Sequence, residues 1–169
     1  MSQPRGLAVM ITLMVLIVAS ANYLVQFPVS DWLTWGALTY PVSYFVTDLT
    51  NRWYGPERAR RVVYIGFVLA VFLSAWLASP RIAMASGTAF LISQLMDVAI
   101  FDRMRRRRWW RAPLVSSVLG SLVDTALFFF LAFYATELPW VTLAIGDYAV
   151  KVAIALILLL PYRWVAANG

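Results

Sequence analysis

Six long apolar stretches, separated by short polar connections, dominate the pattern of the chain. They cover residues 7–25, 33–49, 62–78, 82–101, 113–134 and 140–160. Each has about the 17 to 25 residues that an α-helix needs to cross a hydrocarbon core about 30 Å thick. The pattern therefore predicts an all-α fold, a bundle of six transmembrane helices that forms one domain over residues 1–169.

Two of these stretches have an alternative interpretation. The second is diluted by Trp35, Gly36, Thr39, Pro41 and Ser43, so a re-entrant segment competes there with a full crossing. The first could be mistaken for a signal peptide, but its apolar run exceeds the roughly 7 to 15 residues of such a segment. We therefore interpret it as a retained helix.

Composition supports a membrane environment and excludes several kinds of chemistry. Hydrophobic residues make up 62% of the chain and charged residues 13%, against about 45–50% and about 25% in soluble domains. The chain contains no cysteine and no histidine. Disulfides, thiolate or imidazole metal sites and catalysis by these residues are therefore excluded, and no cofactor is predicted.

Arginine is distributed unevenly between the two sides of the predicted bundle. Twelve arginines lie before the first helix, in the second and fourth connections and after the sixth helix. In the connections of the other side there is only Arg81. Because basic residues stay on the cytoplasmic side of a membrane, both termini are predicted to be cytoplasmic.

The basic run MRRRRWWR at residues 104–111 could suggest nucleic-acid binding. However, it is a short connection between two membrane segments, and its tryptophans are typical of the membrane interface. We therefore predict contact with anionic lipid and no nucleic-acid partner.

Five charged residues lie within or at the ends of the apolar stretches. They are Asp48, Asp97, Asp124, Asp147 and Lys151. A charge at the centre of a membrane helix costs about 2.5–3.5 kcal/mol on insertion scales, so such residues face the bundle interior or water. Asp48 and Asp97 lie near helix ends and could instead pair with Arg52 or Arg103. Asp124 and Asp147 lie near the middle of the membrane.

Lys151 follows Asp147 by four residues and therefore lies on the same face of the sixth helix. The two side chains are predicted to form an internal ion pair or to take part in coupling. One lysine cannot neutralise both Asp147 and Asp124. The surplus acid is therefore available to a cationic or donor-rich ligand, or to a proton.

Other polar and aromatic residues recur at helical spacing on three helices. Tyr44, Asp48 and Asn51 share one face, Phe90, Gln94, Asp97 and Phe101 a second, and Asn22 and Gln26 a third. Aromatic rings, carboxylates and amides together suit a flat heterocycle, because rings stack, carboxylates accept from N–H groups and amides bind carbonyls. Packing inside the bundle is the alternative role for the aromatic rings.

Four motifs carry a resemblance to a known family. They are TDLTNRWYGPERAR at 47–60, QLMDVAIFDRMR at 94–105, SLVDT at 121–125 and GDYAVK at 146–151. With their order along the chain, these motifs closely resemble the queuosine precursor transporter family. The resemblance implies a multi-pass protein of the bacterial inner membrane that imports 7-cyano- and 7-aminomethyl-7-deazaguanine, precursors of the tRNA nucleoside queuosine. It also implies a fold similar to the substrate-binding subunits of energy-coupling-factor transporters.

A deazaguanine ligand assigns roles to the candidate residues. Its ring N–H and adjacent amine form a donor pair that a carboxylate can bind in bidentate fashion, and its carbonyl suits the amide of Gln94 or Asn22. The predicted substrate-binding residues are Asp97, Gln94, Asp124, Asp48, Asn22, Tyr44, Phe90 and Phe101.

Other functions remain open at this point. The substrate could be another small heterocycle or a vitamin, and the chain could be the binding subunit of an energy-coupling-factor transporter. A membrane-embedded enzyme is not predicted, because metalloprotease motifs need histidine and Ala144 interrupts an aspartyl-protease Gly-x-Gly-Asp motif. No Walker motif is present, so the alternatives are a facilitator, a proton-coupled carrier or a partner of an external ATPase. A homo-oligomer is also compatible with the sequence.

Overall fold

The computed structural model describes residues 3–24, 27–30, 32–77 and 79–167. The chain runs through α1 (Gln3–Leu24), β1 (Pro28–Ser30), β2 (Leu33–Thr34), α2 (Trp35–Thr39), α3 (Val42–Tyr54), α4 (Pro56–Leu77), α5 (Pro80–Met104), α6 (Arg111–Phe133) and α7 (Trp140–Ala167). The all-α prediction is confirmed, with one difference. The two short strands pair as an antiparallel hairpin, the only β-structure within the described ranges.

Four helices in the described parts of the chain are long and apolar enough to cross a membrane, namely α4, α5, α6 and α7. Helix α1 has a shorter apolar segment, Arg5–Ala21. Large apolar side chains such as Phe72, Trp76 and Leu160 are exposed on the outer surface of the bundle. A soluble monomer rarely exposes that much apolar surface, so this outer surface suits contact with lipid.

The second predicted segment, 33–49, is not one continuous helix. It begins with β2, continues in α2 and α3, and has a tight turn at Tyr40 and Pro41 between the two helices. Pro41 has no N–H to donate to the carbonyl of Ala37, so the α-helical hydrogen bonds stop there. Beyond the turn, α3 extends to Tyr54, five residues past the predicted end.

Helix α5 lies at the centre of the bundle and packs against α3, α4 and α6. A buried core joins α1, α4 and α5 through side chains that include Met14, Val62, Val63, Phe90 and Val98. Helix α7 lies at the periphery, and its buried residues are Lys151 and Tyr162. A mostly apolar helix that nevertheless buries a lysine must hold that lysine by specific partners.

Successive long helices run antiparallel and give the bundle two different ends. The arginine-rich end contains the α3–α4 junction and the α5–α6 loop, where the Arg105 guanidinium donates to the carbonyls of Asn51 at 2.8 Å and Arg52 at 3.2 Å. The hairpin end contains β1, β2 and the α6–α7 loop, where Arg81 Nε donates to the carbonyl of Leu131 at 2.9 Å. Each end is thus held together by arginine bonds to terminal helix carbonyls.

Candidate functional site

A cavity of about 610 Å³ enters the bundle from the hairpin end. Its mouth is formed by Ser30, Trp32 and Leu33 of the hairpin region together with Ser79. Its floor is formed by Tyr40, Asp124, Asp147 and Lys151. A volume of this size lies within the usual range for small-molecule sites, about 300–1,000 Å³.

The walls of the cavity differ in character. Helix α6 supplies three aromatic side chains, Phe128, Phe129 and Phe133. Helix α5 presents Ile82, Ser86 and Ala89, whose spacing of three and four residues places them on one face. Small side chains on one wall and flat rings on another leave a space that suits a planar ligand.

The charged floor is a cluster of three residues from two helices, which we term the acid–lysine triad (Asp124, Asp147 and Lys151). Lys151 Nζ lies 2.8 Å from Asp124 Oδ2 and 2.6 Å from Asp147 Oδ2. The same nitrogen donates to Thr125 Oγ1 at 3.0 Å. The ammonium group thus contacts two carboxylates and one hydroxyl, and Lys151 is held between two acids rather than one.

Neighbouring hydroxyl groups orient the two carboxylates of the triad. Asp124 Oδ1 accepts from the Tyr40 hydroxyl at 2.8 Å and from Ser93 Oγ at 3.3 Å. Asp147 Oδ2 accepts from Thr125 Oγ1 at 2.7 Å. No described residue donates to Asp147 Oδ1, so this oxygen remains available to a ligand in the cavity.

The triad carries one negative charge more than it can neutralise when both acids are ionised. Its side chains are 5% to 13% exposed, and the aromatic and small residues around them offer no second cation. The described residues also contain no group of three or more acidic side chains that could hold a metal ion. The surplus negative charge suits the floor to a ligand that brings hydrogen-bond donors or a positive charge.

The other predicted site residues lie deeper than the cavity. Asp48, Asp97, Gln94, Tyr44, Phe90 and Phe101 are all buried between helices and are absent from the cavity lining. The side chain of Asn22 and all of Gln26 lie outside the described residues. Direct contact of this set with a substrate stays a prediction.

Contacts within the protein occupy several of these deeper side chains. Gln94 donates through Nε2 to Ser43 Oγ at 2.8 Å, and its Oε1 accepts from Thr47 Oγ1 at 2.7 Å. Phe90 packs edge-on against Tyr40, and Phe101 packs edge-on against Tyr162. The amide and the rings thus have partners in the bundle that account for their burial.

Sequence reasoning missed Tyr40 and the aromatic wall of α6. Tyr40 precedes Pro41, and a proline within an apolar stretch is a signal for an interruption of the helical hydrogen bonds near that residue. The small residues Ser86, Ala89 and Ser93, spaced along one face of α5, are a further signal that was present in the sequence. No sequence signal distinguishes Phe128 and Phe129 from lipid-facing phenylalanines.

Comparisons with known proteins identify a transporter family. A family model described as "Putative vitamin uptake transporter" matches residues 34–79 and 75–165. The "Queuosine precursor transporter" of Escherichia coli (strain K12) is 36% identical over 182 aligned positions, which cover 90% of this chain and 82% of the relative. The "Probable queuosine precursor transporter" of Haemophilus influenzae is 34% identical and covers 91% and 83%. No solved structure matches the chain significantly.

Proposed function

The chain belongs to the queuosine precursor transporter family, and from this premise we propose that it imports 7-cyano-7-deazaguanine and 7-aminomethyl-7-deazaguanine through the cavity. It is a multi-pass bacterial membrane protein, and its relatives are named as transporters rather than enzymes. The observation that supports the proposal is the acid–lysine triad at the floor of a cavity of about 610 Å³.

The chemistry of a deazaguanine base suits this floor. Its ring N–H and exocyclic amine are adjacent donors, and one carboxylate oxygen can accept from both through its two lone pairs. No group in the described part of the chain donates to Asp147 Oδ1, whereas both oxygens of Asp124 are already bonded within the protein. We therefore propose that Asp147 binds the donor pair of the base and that Asp124 orients Lys151.

The surrounding cavity explains how both precursors could be accepted. The rings of Phe128, Phe129 and Phe133 offer apolar faces for the flat base. The aminomethyl precursor carries a positive charge, which the surplus negative charge of the triad would balance. The cyano precursor is neutral and relies on the hydrogen bonds and the apolar contacts alone.

A rescue experiment tests the substrate. A bacterium that neither makes nor imports deazaguanine bases should regain queuosine in its tRNA when it expresses this chain and receives a precursor at low concentration. Queuosine-modified tRNA is measured by its retarded migration on boronate gels. Absence of rescue by well-expressed protein would contradict the proposed substrate.

A pair of acid-to-amide changes tests the binding site in the same cells. Asp147→Asn removes one of two acceptor oxygens and should lower uptake at limiting precursor by about tenfold or more, the cost of one charge-assisted hydrogen bond of about 1.5–3 kcal/mol. Glu57→Gln, an exposed acid at the start of α4, is the matched control and should leave uptake unchanged. Equal uptake by both variants at equal expression would contradict the role of Asp147.

We also propose that the arginine-rich end is cytoplasmic, so that the cavity faces outwards. Because the chain has no cysteine, single cysteines can be labelled without background. Glu137→Cys, in the α6–α7 loop, should react with an impermeant thiol reagent in intact cells. Arg106→Cys, in the α5–α6 loop, should react only after the membrane is permeabilised. Both side chains are exposed in the structure, and the reverse labelling pattern would invert the orientation.

A further inference from the structure

A second acidic cluster lies between the floor of the cavity and the arginine-rich end. It consists of Asp48 on α3, Asp97 on α5, and Ser116 and Ser117 on α6, and all four residues are buried. Ser116 Oγ donates to Asp48 Oδ1 at 3.1 Å, and Ser117 Oγ donates to Asp48 Oδ2 at 3.2 Å. The carboxyl groups of Asp48 and Asp97 lie beside each other.

Asp97 differs from Asp48 because its carboxyl group lacks hydrogen bonds. Neither oxygen of Asp97 has a partner among the described residues, although the side chain is fully buried. A buried polar atom without a partner costs about 1–3 kcal/mol, and more when it is charged. The Asp48–Asp97 pair is therefore incomplete without a further donor.

The hydroxyl of Tyr44 is a second, independent group without a partner at the same place. It is fully buried and makes no hydrogen bond within the described chain. Tyr44 and Asp97 both pack on Gly120, where an added Cβ would lie 2.8 Å from Tyr44 Cε1 and 3.4 Å from Asp97 Cβ. The side chains of Tyr44 and Asp97, whose polar atoms lack partners among the described residues, thus pack against the same glycine.

No described cation compensates the Asp48–Asp97 pair. Arg52 on α3 donates to the carbonyl of Arg105, and Arg105 pairs with Asp102 and the end of α3. Lys151 on α7 is used by the acid–lysine triad. The other titratable groups that face the pair are Tyr44 on α3 and Tyr162 on α7, and α6 contributes only hydroxyls and Gly120.

We propose that the Asp48–Asp97 pair binds one proton, shared between the two carboxyl groups, and that its movement is coupled to transport. The inference rests on the proposed transport function. A single proton supplies the missing donor and leaves one negative charge, which the two serine hydroxyls stabilise. The proton enters from the cavity side and leaves at the arginine-rich end, so that charge and atoms balance over one cycle.

The structure provides a physical link between this pair and the substrate site. Ser93, which donates to Asp124, lies four residues before Asp97 and therefore on the same face of α5. Tyr44 lies close enough to Asp124 and Asp97 to interact electrostatically with both. Loss of the proton would leave two adjacent carboxylates that repel each other across the α3–α5 contact. Through Ser93 and Tyr44, a ligand in the cavity can therefore affect whether α3 and α5 separate.

The test uses the purified full chain in sealed liposomes that contain a pH-sensitive dye. The probe is 7-cyano-7-deazaguanine, which is neutral, so the proton is the only charge moved in each cycle. Equal potassium on both sides with valinomycin holds the membrane potential at zero. Addition of the probe outside should acidify the lumen. A pH gradient of one unit, acidic outside, should sustain about tenfold accumulation, because one unit corresponds to about 1.4 kcal/mol.

Variants separate coupling from binding. Asp97→Asn and Asp48→Asn should each abolish the proton signal and the gradient-driven accumulation, whereas Glu57→Gln, an exposed acid at the start of α4, should retain both. Asp147→Asn should instead weaken exchange of external for internal substrate. If a variant fails to fold, the proton signal and the accumulation measured with the parent protein still test the inference.

Three results would count against the inference or its premise. Net uptake by the parent protein without proton movement overturns the proton site and leaves the proposed function intact. Accumulation driven by a sodium gradient in place of the pH gradient overturns the assignment of the ion. Absence of any exchange overturns the proposed function itself.

Discussion

Lys151→Ala is expected to be the most damaging single substitution in the membrane interior. The change removes the only described cation that contacts Asp124 and Asp147 and leaves two buried carboxylates next to an empty space. Breaking a buried ion pair by removing one partner costs about 3–5 kcal/mol. We expect the variant to lose most of its monodisperse peak in detergent size-exclusion chromatography and to lose uptake.

A second substitution distinguishes folding from function at the triad. Lys151→Ala combined with Asp147→Asn removes one cation and one anion, so the stranded charge is reduced and folded protein should recover. Uptake should not recover, because Asp147 is assigned to the substrate. Arg163→Ala, which removes an exposed cation near the other end of α7, is the control and should behave like the parent. A stable, active Lys151→Ala protein would contradict the structural role of the triad.

Ser86→Trp should abolish uptake by filling the cavity. Ser86 lines the cavity from α5, opposite the aromatic residues of α6. An indole ring in this position would occupy the space that a base of similar size requires. We expect uptake at limiting precursor to fall by about a hundredfold or more, as for the loss of about 3 kcal/mol of binding free energy.

The matched control lies on the same helix. Met84 is two residues away, about 200° around the helix axis, and is 74% exposed on the outer surface. Met84→Trp introduces the same side chain and should leave both uptake and the size-exclusion profile unchanged. Normal uptake by a well-expressed Ser86→Trp protein would show that substrate does not pass through the cavity.

Local sequence spacing was sufficient to predict the ion pair between Asp147 and Lys151. Two residues four apart on one helix must lie on the same face, so their ion pair could be predicted without tertiary information. The additional bond from Lys151 to Asp124 could not be predicted, since the two residues belong to different helices. Their distance depends on how α6 crosses α7.

For the candidate substrate contacts, too, the sequence predicted some features and the packing of helices decided others. Asp97 and Gln94 are predicted substrate contacts, and in the structure both are fully buried. Whether a buried polar residue faces a cavity or another helix is set by the neighbouring side chains, here Thr47, Ser43 and Asp48. The apolar pattern of 33–49 is diluted at Pro41, but it could not predict that the Tyr40 hydroxyl bonds to Asp124 of another helix.

Apolar length and composition alone established a helical membrane protein, because lipid requires long apolar segments whose backbone groups bond within each helix. The spacing of charges along one helix likewise established which of them share a face. Tertiary structure alone decided that Lys151 joins two acids, that Asp124 and Asp147 lie at the floor of a cavity, and that Asp48 meets Asp97 behind it. These relations depend on the packing of helices that are distant in sequence, and packing is set by side-chain shape across several helices at once.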